Sequence, residues 1–307
     1  MAESFMLETP VAFMVFNRPQ CTRRVFEAIR QARPPRLFVV GDGPRPGHPQ
    51  DASRVEAVRA IVAQNIDWPC VVRTDYAEKN LGCARRISSG LNWVFAKEEE
   101  AIILEDDCLP DPSFFRFCAE LLARYRDDTR VAQIAGSSFQ ESVREDAPSY
   151  YFSRYPHCWG WATWRRAWRL YDHSMQAWQR ERRGVWLAEH ITDEDERKYW
   201  RKRFDQTLRG KMDSWAYRWT AAIWREGCVG VQPYHNLVSN IGMGADATHT
   251  EGFDVGLLPA SSMRFPLVHP EGLMRDEAAD DRTSRRVFRL PPLSLRIRHR
   301  LWKIFGQ

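Results

Sequence analysis

Three adjacent carboxylates, Glu105, Asp106 and Asp107, close an apolar run that begins at Ile102. Like charges this close repel one another, so the cluster calls for a compensating cation, hydrogen-bond donors or a proton. A divalent ion is the first chemistry to consider, because hard cations take carboxylate oxygens. The alternative is helix capping, since a helix is expected to begin near Asp111 and acids there offset its dipole. A cap needs one acid and the sequence offers three, which favours the ion.

The elements that bring these acids to a surface are legible on either side of them. Short apolar runs alternate with segments of helical periodicity through the first 135 residues, a βαβα organisation. Strands are expected at Val11 to Phe16, Leu37 to Val40, Cys70 to Thr74, the run ending in the acids, and Val131 to Ala135. Helices are expected at Cys21 to Gln31, Ala52 to Gln64, Cys83 to Ala96 and Ser113 to Arg126. Strands joined by crossover helices make a parallel sheet, and ligands bind beyond the carboxyl ends of its strands. Asn17 and Arg18, Asp42 and Gly43, Asp75 with Asn80, and Glu105 to Asp107 each follow a strand. They are therefore expected along one edge, although a segment such as Asn17-Arg18-Pro19 is by itself also an ordinary turn before a helix.

The second half differs in composition. Ten of the thirteen tryptophans lie between Trp159 and Trp224, so this half is aromatic-rich. Such density suits a core, and it also suits a groove in which flat rings meet the C–H faces of a ligand. The segment from Gly242 through His249 to Thr250 reads as a loop.

Composition limits the classes. With 307 residues and 44% hydrophobic content, the chain can bury one large core or two modest ones. Seven cysteines without a Cys-x-x-Cys pair argue for a reducing compartment and against structural zinc. No secretory signal is evident and no apolar run approaches the ~20 residues of a membrane span, so a cytoplasmic location is expected. The net charge of +5 is local. From Arg282 onward there are eight Lys or Arg and no acid, which leaves 45 − 8 = 37 basic against 40 acidic residues elsewhere. In that tail Leu293, Ile297, Leu301 and Ile304 recur at helical spacing among Arg296, Arg298, Arg300 and Lys303, as in an interfacial amphipathic helix. The same helix could pack on the body or on a second subunit. Nucleic acid is not expected as a partner, because the body is mildly acidic.

Taken in order, several motifs carry a resemblance. Phe16-Asn17-Arg18-Pro19, Asp42-Gly43-Pro44-Arg45, Asn80-Leu81-Gly82 with Arg85-Arg86, and Leu104-Glu105-Asp106-Asp107 with Pro110-Asp111 and Phe114-Phe115 resemble bacterial glycosyltransferases of the GT-A fold. The set is similar to the family 2 group and to the N-acetylglucosaminyltransferase I type, and it spans roughly residues 8 to 250. The resemblance implies an α/β, Rossmann-like, mostly parallel sheet flanked by helices, with a Trp-rich α-helical acceptor-side half. The organisation expected is a nucleotide-sugar-binding half over 1–140, an acceptor-binding half over 141–265 and a basic tail over 266–307.

The same resemblance implies a nucleotide-diphosphate sugar donor, a UDP-sugar by preference, and a Mn2+ or Mg2+ cofactor. Asn17, Arg18 and Asp42 should meet the nucleotide base and ribose. Asp107 should bind the ion, with Asp106 near the ribose and Glu105 organising the turn. Asn80 belongs to the donor site, and Arg85 or Arg86 could add a phosphate contact. His249 resembles a late histidine that completes metal or diphosphate binding. Asp213 resembles the catalytic base of inverting enzymes, although it would serve equally as a helix cap. Asp193, Glu194 and Asp195 form a rival cluster that reads as a solvated helix face. Trp159, Trp161 and Trp215 are the expected acceptor contacts, the acceptor being a saccharide or lipid-linked glycan at the inner membrane surface. Because the motif is Glu-Asp-Asp and not Asp-x-Asp, Asp107 alone is expected to hold the ion, which predicts weak metal affinity without nucleotide. A nucleotidyltransferase or a non-catalytic carbohydrate-binding protein would use the same sheet edge.

Overall fold

The structure is a computed structural model that describes residues 5–140, 147–242 and 259–288. Its centre is a mixed, mostly parallel eight-stranded sheet flanked by helices, as expected. The order is β3 (Val71–Tyr76), β2 (Arg36–Gly41), β1 (Val11–Val15), β4 (Glu100–Glu105), β8 (Trp161–Trp164), β6 (Val131–Ala135), β9 (Val229–Pro233) and β7 (Tyr150–Ser153). β1 (Val11–Val15), β2 (Arg36–Gly41), β3 (Val71–Tyr76) and β4 (Glu100–Glu105) run parallel. All five residues of β1 are buried, the pattern of a strand covered on both faces. The crossover helices are α1 (Pro19–Ala32), α2 (Pro49–Gln64) and α3 (Cys83–Phe95), and α4 (Ser113–Arg124) follows the acids. α1 and α2 each open on a proline, whose missing N–H is harmless in a first turn. α3 lies close on the sheet: a Cβ at Gly90 would stand 2.4 Å from Val40 Cγ1.

The aromatic half is less helical than expected. It contains α5 (Arg165–Trp168), α6 (Gln176–Glu181), α7 (Trp186–His190), α8 (Glu194–Leu208) and α9 (Trp215–Arg225). It also gives the sheet β7 (Tyr150–Ser153), β8 (Trp161–Trp164) and β9 (Val229–Pro233), while β6 is Val131–Ala135. β8 is antiparallel to both β4 and β6, and β6 is parallel to β9. The carboxyl ends of β1, β2, β3, β4, β6 and β9 therefore share an edge, and β8 starts there, with Trp161 opposite Ile103.

A second, two-stranded sheet completes that edge. β5 (Cys108–Pro110) leaves the acids and pairs antiparallel with β10 (Val238–Asn240), Asn240 opposite Cys108. This pairing returns Ile241 and Gly242 to the acid cluster, where Ile241 N donates to Asp107 O at 2.8 Å. α10 (Glu277–Val287) packs beside β7. Among the described residues, no helix is long and apolar enough to cross a membrane.

Candidate active site

The acid triplet is compensated from within the chain. Arg18, at the start of α1, reaches the end of β4 and places Nη2 2.8 Å from Asp106 Oδ1 and Nη1 2.7 Å from Asp107 Oδ2. The second oxygen of Asp106 accepts from Phe16 N at 3.0 Å. Burial works against the charge of Arg18, yet Asp106, Asp107 and Glu105 together hold its guanidinium above the usual range. Burial pushes Glu105 upward, with the Asp107 charge adding and Arg18 and the Trp215 side chain opposing. Asp106 is raised by burial too, against the pull of Arg18.

A second polar pocket lies at the ends of β2 and β3. Asp42 accepts from Gly43 N, Leu81 N and Gly82 N at 2.8, 2.9 and 3.1 Å, and from Asn80 Nδ2 at 3.0 Å. The two loops touch so closely that a Cβ on Gly43 would meet the Lys79 backbone at 2.5 Å. Burial raises the Asp42 carboxyl, while those three amides oppose the rise. Asn17 joins this wall by donating to Asp51 Oδ1 at 2.8 Å, and Asp51 pairs with Arg45 Nε at 2.7 Å. The Arg45 hydrogen bond holds Asp51 well below the usual carboxylate range.

Asp213 reaches the same edge from the chain before α9. Its Oδ1 accepts from Ala84 N at 3.1 Å, so it caps α3 from 129 residues away. Gly82 permits this approach: it has φ +80, and a Cβ there would lie 2.6 Å from Asp213 Oδ2. The rival cluster separates as expected, Asp193 capping α8 through Glu196 N at 2.8 Å while Glu194 and Asp195 pair with exposed Lys198.

Three expectations need correction or narrowing. Arg86 is buried and already paired, with Nη2 2.5 Å from Asp75 Oδ2 and 2.8 Å from the Asp75 carbonyl. Of the two arginines only Arg85 is exposed. Trp161 and Trp215 are 0% and 3% exposed and stack on each other at 5.1 Å, so they are core and offer no ring face to an acceptor. Trp159, half-buried beside Phe139, keeps some surface. His249 and the tail segment around Leu293 lie outside the described residues.

Among the described residues, no group of three His, Cys, Asp or Glu side chains is arranged to hold a metal ion. Asp107 fits such an ion as one carboxylate ligand, but its Oδ2 now carries Arg18. An ion there would need further oxygens from a ligand, which accords with a diphosphate and not with a metal site built by the protein alone. Sequence reading missed Arg45 with Asp51, the Trp215 contact to Glu105, and Gly242. The Trp215 contact joins residues distant along the chain and Gly242 depends on an absent side chain, whereas Arg45 and Asp51 are six residues apart and Asp51, in the first turn after Pro49, carried a local signal.

No protein-family model matches the chain, and a search of curated proteins returns no match. Among solved structures, a mannosyltransferase from Pyrobaculum calidifontis in complex with GDP-Man and Mn2+ aligns at 17% identity and a TM-score of 0.37, over 52% of this chain and 45% of that one. TarS residues 1–349 from S. aureus align at 11% and 0.35, over 52% and 47%. A 4-diphosphocytidyl-2C-methyl-D-erythritol synthase from Anaerococcus prevotii aligns at 8% and 0.35, over 53% and 74%. The alignments thus span about half the length of the first two. Likeness of this degree carries no inference about activity, which rests on the residues themselves.

Proposed function

We propose that the protein is a glycosyltransferase, transferring a sugar from a nucleotide-diphosphate sugar to an acceptor hydroxyl with inversion, in the synthesis of a bacterial surface glycan or glycoconjugate. The observation that carries this reading is the gathering of four polar strand ends and Asp213 along one sheet edge. In this reading Asn17, Asp42 and Asn80 line the base and ribose, and a UDP-sugar is the donor the motif resemblance favours. Arg18 and the exposed Arg85 are the cationic groups available to the diphosphate. Asp107 would hold a divalent ion, Mn2+ or Mg2+, which would supply Lewis-acid stabilisation of the leaving group.

Asp213 takes the proton from the acceptor hydroxyl as that oxygen bonds to the sugar and the bond to the nucleotide phosphate breaks. Its anchorage on Ala84 N leaves Oδ2 as the atom for that proton. Nucleotidyl transfer would use the same donor residues and has no need of Asp213. A thermal-shift and calorimetry panel of uridine, guanosine, thymidine and cytidine diphosphates, each with and without Mn2+, identifies the donor. Asp213→Asn should lower sugar transfer at least 100-fold and leave nucleotide binding intact; transfer at wild-type rates would remove Asp213 from the mechanism.

A further inference from the structure

The guanidinium of Arg18 does what a bridging cation does: one nitrogen takes Asp106 and another takes Asp107, at 2.8 and 2.7 Å. A planar fork can span two acids in this way, whereas an ammonium is a point charge. The surroundings are fitted to this bridge. A Cβ at Gly242 would stand 2.4 Å from Asp107 Oδ2 and 2.6 Å from Arg18 Nη1, so the backbone after β10 closes directly over the pair. Phe16 N takes the remaining Asp106 oxygen, and Ile241 N ties the Asp107 backbone to the same lid. Any cation approaching these carboxylates meets a charge already there. A nucleoside diphosphate changes the balance, because it brings oxygens for the cation and an anion for the guanidinium.

We propose that Arg18 is a competing counter-ion for the acid pair, keeping a divalent cation off Asp106 and Asp107 until a nucleoside diphosphate arrives, so that cation and nucleotide bind together. The nucleotide half of this inference rests on the glycosyltransferase reading, and the competition half on the geometry alone. Electron paramagnetic resonance titration with Mn2+ alone tests the latter on full-length wild type, Arg18→Gln, Arg18→Lys and Arg18→Gln/Asp107→Asn, with circular dichroism to verify folding.

Wild type should bind Mn2+ at least tenfold more weakly than Arg18→Gln, the double variant should lose the gain, and Arg18→Lys should fall between. Adding uridine diphosphate should tighten Mn2+ on wild type at least tenfold and on Arg18→Gln by less. Equal Mn2+ affinity in wild type and a folded Arg18→Gln would overturn the competition. Arg18→Lys, which keeps the charge, decides the matter if the glutamine variant does not fold: an affinity equal to wild type then counts against the bridging fork. If no nucleoside diphosphate binds wild type, the transferase reading fails with the coupling, while the Mn2+ comparison still decides whether Arg18 competes.

Discussion

Glu105 ends a buried strand beside two other acids, near the Trp215 side chain, with Arg18 bonded to Asp106 and Asp107 and acting on Glu105 through its charge. Its folded carboxyl is raised above the ordinary glutamate value of about 4.3. Between those two values the native state keeps a proton that the unfolded chain has released. The associated stability is therefore present at low pH and lost as pH rises through the raised folded value. Asp106 contributes with the same sign. Glu105→Gln keeps an oxygen for Trp215 and removes the charge, so it should stabilise the protein near pH 8 by on the order of 1 kcal/mol, the free energy of a tenfold change in proton affinity. Melting temperatures of both proteins from pH 5 to pH 8 make the check, and parallel curves would refute the assignment of strain to Glu105.

At the scale of elements, α3 has no side chain of its own at its N-cap, Gly82, and takes Asp213 instead. Gly82→Ala would force a side chain into φ +80 and press a methyl onto Asp213 Oδ2. The expected result is a loss of roughly 1–3 kcal/mol in stability together with a fall in transfer, measured by denaturant midpoint and by initial rate. Retained rate with lowered stability would show that the position of Asp213 is uncritical. The local sequence reads Asp213 as a base or as a cap for the helix that follows it. α9 is instead preceded by Ser214, which makes no side-chain cap, and Asp213 caps a helix from the other half. β1 to β4 and β6 were legible within about two residues because apolar runs there end in turn residues. β8 was not: the three tryptophans of Trp159 to Trp164 follow no clean alternation, and its placement between β4 and β6 is a pairing across some sixty residues of chain. The same opacity made Trp161 and Trp215 look like ligand platforms when they complete the core.

The whole molecule is closed by a buried polar knot on the side of β7. Glu196, 1% exposed, accepts from Tyr155 Oη at 2.6 Å, Ser284 Oγ at 2.7 Å, Arg154 Nη2 at 3.1 Å and Trp200 Nε1 at 3.2 Å. Asp280 of α10 accepts from Ser153 Oγ at 2.5 Å, and burial pushes its carboxyl up to about 6. Phe288 then packs on Tyr155 and Trp200, with centroids 4.6 and 4.7 Å away. α10 is thus bound into the body by a shared carboxylate and a ring, although it falls in the stretch expected as tail. Glu196→Ala would leave Arg154 and three neutral donors without their acceptor, a loss of roughly 3–5 kcal/mol for a broken buried pair. Hydrogen exchange over 277–287 should rise with it, and unchanged protection would show that α10 is held without Glu196, by Asp280 and Phe288. This anchorage also fixes where a test of the basic tail must cut. Deleting 289–307 removes Arg296, Arg298, Arg300 and Lys303 with their apolar neighbours in sequence and spares the knot, so the melting temperature should move by no more than ~1 °C, less than the shift expected for 1 kcal/mol in a chain of this length. If the tail binds lipid, that deletion alone abolishes flotation with anionic vesicles. Equal flotation of both forms would assign the segment to packing or to a second subunit, and a deletion beginning before Ser284 would unfold α10 and answer neither question.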